Sequence, residues 1–303
     1  MKRREPITWP DNARIALVPC VAFETWPDDL GVPGSLQNMN RRSIPPTARF
    51  AKDMAVITDR QYGERVGIFR ILDCFAEEGI QTTFFVSGAT AEAYPDLFQE
   101  IKAAGHEVAT ENYIHDYSFM KTPQQERADQ ERTVSAVKKV LGEPPLGYLS
   151  TGVRPTEETP QIIADLGYRY WMDPQHEELP YTLRVAGKEL TVLSYWLAIN
   201  DYTTYKAEER TPRELLQLWK DTFDVLYAEG ARSPNFMAWG LHPFLTGRPY
   251  RIVVLREFLR YAKGHPNVWF ARCIDVARWW EKNYRDHSVE TWPNYGTGRQ
   301  RGE

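Results

Sequence analysis

The feature that most restricts this chain is a rhythm of short apolar runs alternating with amphipathic stretches that stop at glycine. The first run, residues 13–23 (Ala-Arg-Ile-Ala-Leu-Val-Pro-Cys-Val-Ala-Phe), is almost unbroken, as expected of a strand buried on both faces. The sequence then predicts a helix from Gly63 to Gly79, a strand from Thr82 to Val86, a helix from Ala91 to Ala104 and a strand from His106 to Thr110. Thr122, Pro123 and Gln125 mark a helix start that runs to Gly142, followed by a strand at Leu146–Ser150, a helix at Thr156–Gly167 and a strand at Tyr168–Met172. Leu183–Leu193 departs from the rhythm and reads as a β-hairpin around Ala186-Gly187-Lys188. The rhythm resumes with a helix from Thr211 to Gly230, a strand from Asn235 to Leu241 and a helix from Tyr250 to Gly264. A strand at Asn267–Ala271 and a helix from Ile274 to about Asp286 complete it. About seven strand–helix units require a mostly parallel sheet with right-handed crossovers. A chain of 303 residues without a linker suits one closed or nearly closed α/β barrel, a single domain over 1–303. Two segments fall outside the repeat: a loop at 27–62 without clean periodicity, and a polar tail from His287.

Composition excludes several classes. A formal charge of −4 leaves no basic surplus for holding phosphates, so nucleic acid is not an expected partner. No apolar run approaches a membrane span, and the basic start Met-Lys-Arg-Arg has no apolar stretch behind it. The expected location is the cytoplasm, and the expected partner is a small-molecule substrate. Cys20, Cys74 and Cys273 are widely spaced within apolar segments, which suits buried thiols rather than a disulfide framework.

Candidate chemistry lies where strands end, because ligands of α/β barrels and sheets bind at the C-terminal ends of the strands. Glu24 follows the first strand. The stretch Gly105–Asp116 carries Glu111 and His115 past the third. Ser150, Thr151 and Arg154 follow the fourth, Asn200 and Asp201 follow the hairpin, and His242 ends the Asn235 strand. Glu24, Glu111, His115 and His242 are the acid–base candidates, and Trp26, Thr151, Trp196, Asn200 and Asp201 the substrate-binding ones. Each alone has a structural alternative: Glu111 and His115 as a solvated pair at a helix start, His242 as a capped turn residue, Glu24 as an arginine's partner, Asn200-Asp201 as turn residues. His106, at a strand start, reads as structural. The argument rests on the set.

Several stretches together resemble the NodB-like polysaccharide deacetylase superfamily (carbohydrate esterase family 4), above all its allantoinase-like branch that hydrolyses cyclic amides. They are Tyr62-Gly63-x-Arg65-Val66-Gly67, Thr83-Phe84-Phe85-Val86, Ala91-Glu92-x-Tyr94-Pro95, Ala103-Ala104-Gly105-His106-Glu107-Val108-Ala109, Glu178-Leu179-Pro180-Tyr181, Asn200-Asp201, Gly240-Leu241-His242-Pro243 and Gly247-Arg248-Pro249. The resemblance spans residues 12 to 283. It implies a distorted (β/α)7-type barrel, hydrolysis of C–N bonds other than peptide bonds, and a homo-oligomer. Deacetylases of this kind carry two acidic residues at the end of the first strand, a base and a metal ligand; here those positions read Ala22 and Glu24, so the usual base is missing. The deacetylase His-x-x-x-His metal motif falls on Glu111 to His115, so its first ligand has become a glutamate. The arginine–proline loop is replaced by Ser150-Thr151-Gly152-Val153-Arg154-Pro155. These departures point away from an ordinary sugar deacetylase and leave a carboxylate-rich divalent-metal set of Glu24, Glu111 and His115, zinc foremost, with metal-free acid–base catalysis as the alternative. The expected activity is hydrolysis of a cyclic amide, imide or ureide. A metal-dependent N-deacetylase and a non-catalytic binding protein are the rivals.

Overall fold

The structure is a computed structural model that describes residues 5–27 and 52–293. Ten strands form one sheet: β1 (Ile15–Phe23), β2 (Thr83–Val86), β3 (Glu107–Thr110), β4 (Gly147–Tyr148), β5 (Tyr170–Trp171), β6 (Tyr181–Val185), β7 (Lys188–Val192), β8 (Asn235–Leu241), β9 (Val268–Phe270) and β10 (Val289–Trp292). Their order is β10-β6-β7-β5-β4-β3-β2-β1-β8, and β9 also pairs with β1. Every pairing is parallel except the β6–β7 hairpin. Between β7 and β8 the ring is closed by single backbone bonds rather than a ladder: Trp196 N–H to Ala238 O (2.8 Å) and Phe236 N–H to Glu178 O (3.3 Å). The result is the distorted α/β barrel expected from the rhythm. All nine residues of β1 are buried, and its side chains alternate between two apolar clusters, Ile15, Leu17, Val21 and Phe23 in one and Ala16, Val18 and Cys20 in the other.

Local chemistry explains why the elements fall where they do. Thr122 Oγ1 accepts from Gln125 N–H while Gln125 Oε1 accepts from Thr122 N–H, a capping box that starts the helix Pro123–Leu141; Thr211 and Glu214 repeat it for Pro212–Glu229. Ala186 and Gly187, both at positive φ, make the two-residue turn between β6 and β7. Tyr94-Pro95 divides the expected Ala91–Ala104 helix into Gly88–Ala93 and Pro95–Ala103.

Two expectations need correction. The aperiodic loop was placed at 27–62, but Met54–Tyr62 is helical and continues through Gly63–Gly67 into Ile68–Glu78; residues 28–51 of that loop lie outside the described residues. The helix escapes a periodicity search because its inward face carries a cation, Arg60, beside Val56. The polar tail from His287 falls outside the strand–helix repeat, yet Val289–Trp292 joins the sheet beside β6; residues 294–303 lie outside the described residues.

At β1 the neighbours change partway along. Ile15–Leu17 pair with β9 and Val21–Phe23 with β2, and Pro19 sits at the changeover. Pro19 O accepts from Thr82 Oγ1 (2.7 Å), so its missing N–H faces the same gap, where no ladder bond is lost. His106 closes the gap below, its Nδ1 accepting from Thr82 N–H at 3.0 Å. Burial, with a smaller contribution from Arg272, lowers the His106 pKa from 6.5 to about 4. Protonation therefore favours the unfolded chain. The stability held by neutral His106 is complete above pH 6.5 and is lost as the pH falls towards 4, up to about 3 kcal/mol. Urea unfolding at pH 7.5 and 4.5 should show this loss in the wild type and a much smaller one in His106→Gln. Equal losses in the two proteins would refute it.

Gly67 and Gly247 bring two helical segments into backbone contact beside the β8 end. A Cβ on Gly67 would lie 2.0 Å from Pro243 O, and one on Gly247 would lie 2.4 Å from Gly67 Cα. Gly67→Ala must push the His242-Pro243 turn away, and roughly 1–3 kcal/mol of destabilisation is expected in a denaturant melt.

Candidate active site

The C-terminal ends of the strands meet on one rim. Glu24 follows β1, and the next residue ties that end down: Thr25 N–H donates to Ser87 Oγ (2.8 Å), and Thr25 O accepts from His115 N–H (2.8 Å). Glu111 N–H donates to Val86 O (2.9 Å), extending the β2–β3 ladder by one residue. These bonds place Glu24, Glu111 and His115 together, 7%, 3% and 4% exposed. His115 Nδ1 is 3.0 Å from Glu24 Oε1 and 3.9 Å from Glu111 Oε2, within ion-pair range but out of line for hydrogen bonds. Glu111 Oε2 and both ring nitrogens of His115 have no hydrogen-bond partner. One ligand atom from each of the three residues falls within 4.8 Å of the others. Trp26 stacks on the imidazole, with ring centroids 3.5 Å apart.

The two carboxylates are held in different states. Burial raises the Glu24 pKa, but His115, and then His242 and Glu111, outweigh it and bring it down to about 2. Glu111 is pushed well above the usual carboxylate range, first by burial and then by the Glu24 charge. The shared environment thus favours charge on Glu24 over charge on Glu111.

Across the cavity, Asp201 positions His242. Asp201 Oδ1 lies 2.6 Å from His242 Nδ1, and its Oδ2 accepts from His242 N–H (2.8 Å) and Thr246 Oγ1 (2.6 Å). Burial lowers the His242 pKa, but Asp201, and more weakly Glu24, raise it further, so the net shift is upward. With Nδ1 committed to Asp201, Nε2 is the nitrogen left for chemistry.

These groups surround a cavity of about 60 Å3, lined by Glu24, Trp26, Glu111, His115 and His242 together with Ala22, Leu149, Ser150, Gly152, Val153, Tyr195, Leu197, Asn200 and Tyr202. The sequence-based substrate residues divide. Trp26 lines the cavity. Asn200 lines it too, but its amide donates to Tyr195 Oη and its carbonyl caps Tyr202 and Thr203 N–H, so it is occupied in shaping the turn. Asp201 is fully buried and reaches His242, not the cavity. Thr151 is turned away, fully buried with an unpartnered hydroxyl, while its neighbours Ser150 and Val153 form the wall. Trp196 is corrected likewise: it lines a separate cleft with Gln175–Glu178, because its N–H is pinned to β8.

Sequence reasoning missed Tyr195, Tyr202 and Asp173. Asp173 follows β5 and accepts from Ser150 N–H and Oγ (both 2.8 Å) and from Trp171 Nε1, so it anchors the 150–153 wall. Burial raises its pKa to about 6. The strand-end logic applied to Glu24 would have found it. No equivalent signal marked the two tyrosines.

An α/β barrel with carboxylates and imidazoles gathered at its C-terminal rim defines a class of acid–base or metal-assisted proteins. Comparison with known proteins narrows the class. Residues 51–171 match the family model described as polysaccharide deacetylase. The crystal structure of PuuE allantoinase is 31% identical, with a TM-score of 0.79 over 91% of this chain and 93% of that one. A probable polysaccharide deacetylase from Pseudomonas aeruginosa PAO1 is 30% identical, with a TM-score of 0.80 over 91% and 94%. The peptidoglycan deacetylase of Helicobacter pylori is 22% identical over 249 residues, 71% of this chain and 84% of the relative. The chain belongs to the polysaccharide deacetylase family. Among the described residues, no helix is long and apolar enough to cross a membrane.

The residues present suit a divalent ion. Two carboxylates and an imidazole, with the unpaired Glu111 Oε2 and His115 nitrogens among them, are the donor types of zinc and harder divalent sites.

Proposed function

We propose that this protein hydrolyses a C–N bond of a small cyclic amide, imide or ureide. The observation that carries this reading is the convergence of a protonatable, Asp201-held His242 with the Glu24–Glu111–His115 set around one small cavity, while Ala22 occupies the position of the deacetylase base. A divalent ion held by Glu24, Glu111 and His115 would supply Lewis acidity to a carbonyl oxygen and acidify water. Glu24 can take the proton of the attacking water only while its carboxylate is not a ligand. The water oxygen bonds to the carbonyl carbon. The C–N bond then breaks with its electron pair on nitrogen, which takes the proton from His242 Nε2. Leu149, Val153 and Leu197 give the cavity its apolar wall.

The test is a panel of hydantoins, cyclic imides and ureides beside N-acetylated sugars, read by NMR for ring opening and acetate release. Ring opening without acetate release is expected. Acetate release from N-acetylglucosamine oligomers alone would replace this reading with a sugar deacetylase.

A further inference from the structure

Arg60 lies on the helix Met54–Tyr62, 6% exposed, with its guanidinium carbon 4.0 Å from the Trp26 ring centroid, 3.8 Å from that of Phe244 and 5.4 Å from that of Tyr202. Such a buried cation ordinarily sits against a carboxylate. Here none of the described residues places one in ion-pair range. The adjacent Asp59 pairs with Arg248 (2.8 Å) and Lys206 (3.4 Å), and Glu64 accepts from Tyr94 Oη (2.8 Å). Arg60 Nη1 and the Tyr202 hydroxyl are both buried, close enough to act on each other, and neither makes a hydrogen bond of good geometry. Tyr202 lines the active-site cavity. Arg60 borders a void of about 10 Å3, room for a single oxygen atom, whose wall of Ala22, Glu24 and Trp26 is shared with that cavity.

We propose that Arg60 and the Tyr202 hydroxyl form a receptor for a carboxylate on the ligand. This inference rests on the ring-opening reading for the source of that group. Opening a cyclic amide or imide leaves the new carboxylate and the released nitrogen on one molecule, whereas deacetylation releases acetate separately. A planar guanidinium held between aromatic faces presents N–H groups to a planar carboxylate, and a phenol adds a third donor. The receptor lies beside Glu24, where the carboxylate is formed. Arg60 is thus a specificity residue that favours ring substrates whose product keeps its carboxylate attached.

Calorimetric titration tests this with succinamate, the half-amide of an opened cyclic imide, and with neutral succindiamide. The proteins are wild type, His242→Ala, Arg60→Met, Arg60→Lys and Tyr202→Phe, each checked by circular dichroism. Wild type and His242→Ala should bind succinamate. Arg60→Met should lose roughly tenfold or more in affinity and Tyr202→Phe a smaller factor, while succindiamide binding stays unchanged. Equal succinamate affinity in wild type and a folded Arg60→Met overturns the proposal. If Arg60→Met does not fold, unchanged affinity in both Arg60→Lys and Tyr202→Phe overturns it. Arg60-dependent succinamate binding in a protein that opens no ring supports the receptor and removes only the ring-opening reading.

Discussion

His242→Ala is expected to lower kcat/KM by about 10²–10⁴, the usual contribution of a positioned general acid or base. The loss should fall mainly on kcat, because Nε2 acts on the nitrogen that departs in the transition state. The companion variant Asp201→Asn reports on the mechanism rather than on presence alone. The Asp201 carboxylate is the chief influence raising the His242 pKa against burial. A general acid works only while protonated, so activity falls as pH rises through that pKa. Removing the Asp201 charge lets burial dominate, and the alkaline limb of the pH–kcat/KM profile should move to lower pH. A limb that stays in place, or a His242→Ala protein within tenfold of wild type, would dismiss His242 as the acid.

Freshly purified protein should carry about one divalent ion per chain by elemental analysis, and both Glu111→Ala and His115→Ala should lose it. The affinity should also rise with pH. Burial and the Glu24 charge push the Glu111 carboxyl upward, and an ion binds its ionised form. Competition with a chelator between pH 6 and 8 measures this directly. A wild type without metal would transfer the hydrolysis to acid–base groups alone, with Glu24 and His242 retaining their parts.

The barrel was legible because its signals are local. The capping box at Thr122, the Ala186-Gly187 turn and the apolar run of β1 are each written within a few residues. Glu24, Glu111, His115 and His242 were legible because the fold itself delivers strand ends to one rim. The substrate contacts were not. Whether Trp196 faces the cavity or a neighbouring cleft depends on one backbone bond to Ala238, and whether Thr151 faces in depends on how Asp173 pulls on Ser150. Arg60 was hidden for the opposite reason: a cation on the inward face of a helix cancels the periodicity that would have revealed the helix.

The change of neighbours at Pro19 divides the barrel into two storeys. The lower holds β9 against the start of β1, and the upper holds β2 against its end. The candidate-site residues Glu24, Glu111 and His115 follow strands of the upper storey. Glu24 therefore hangs from the β2 end of β1, while β9 props the opposite end, away from the rim.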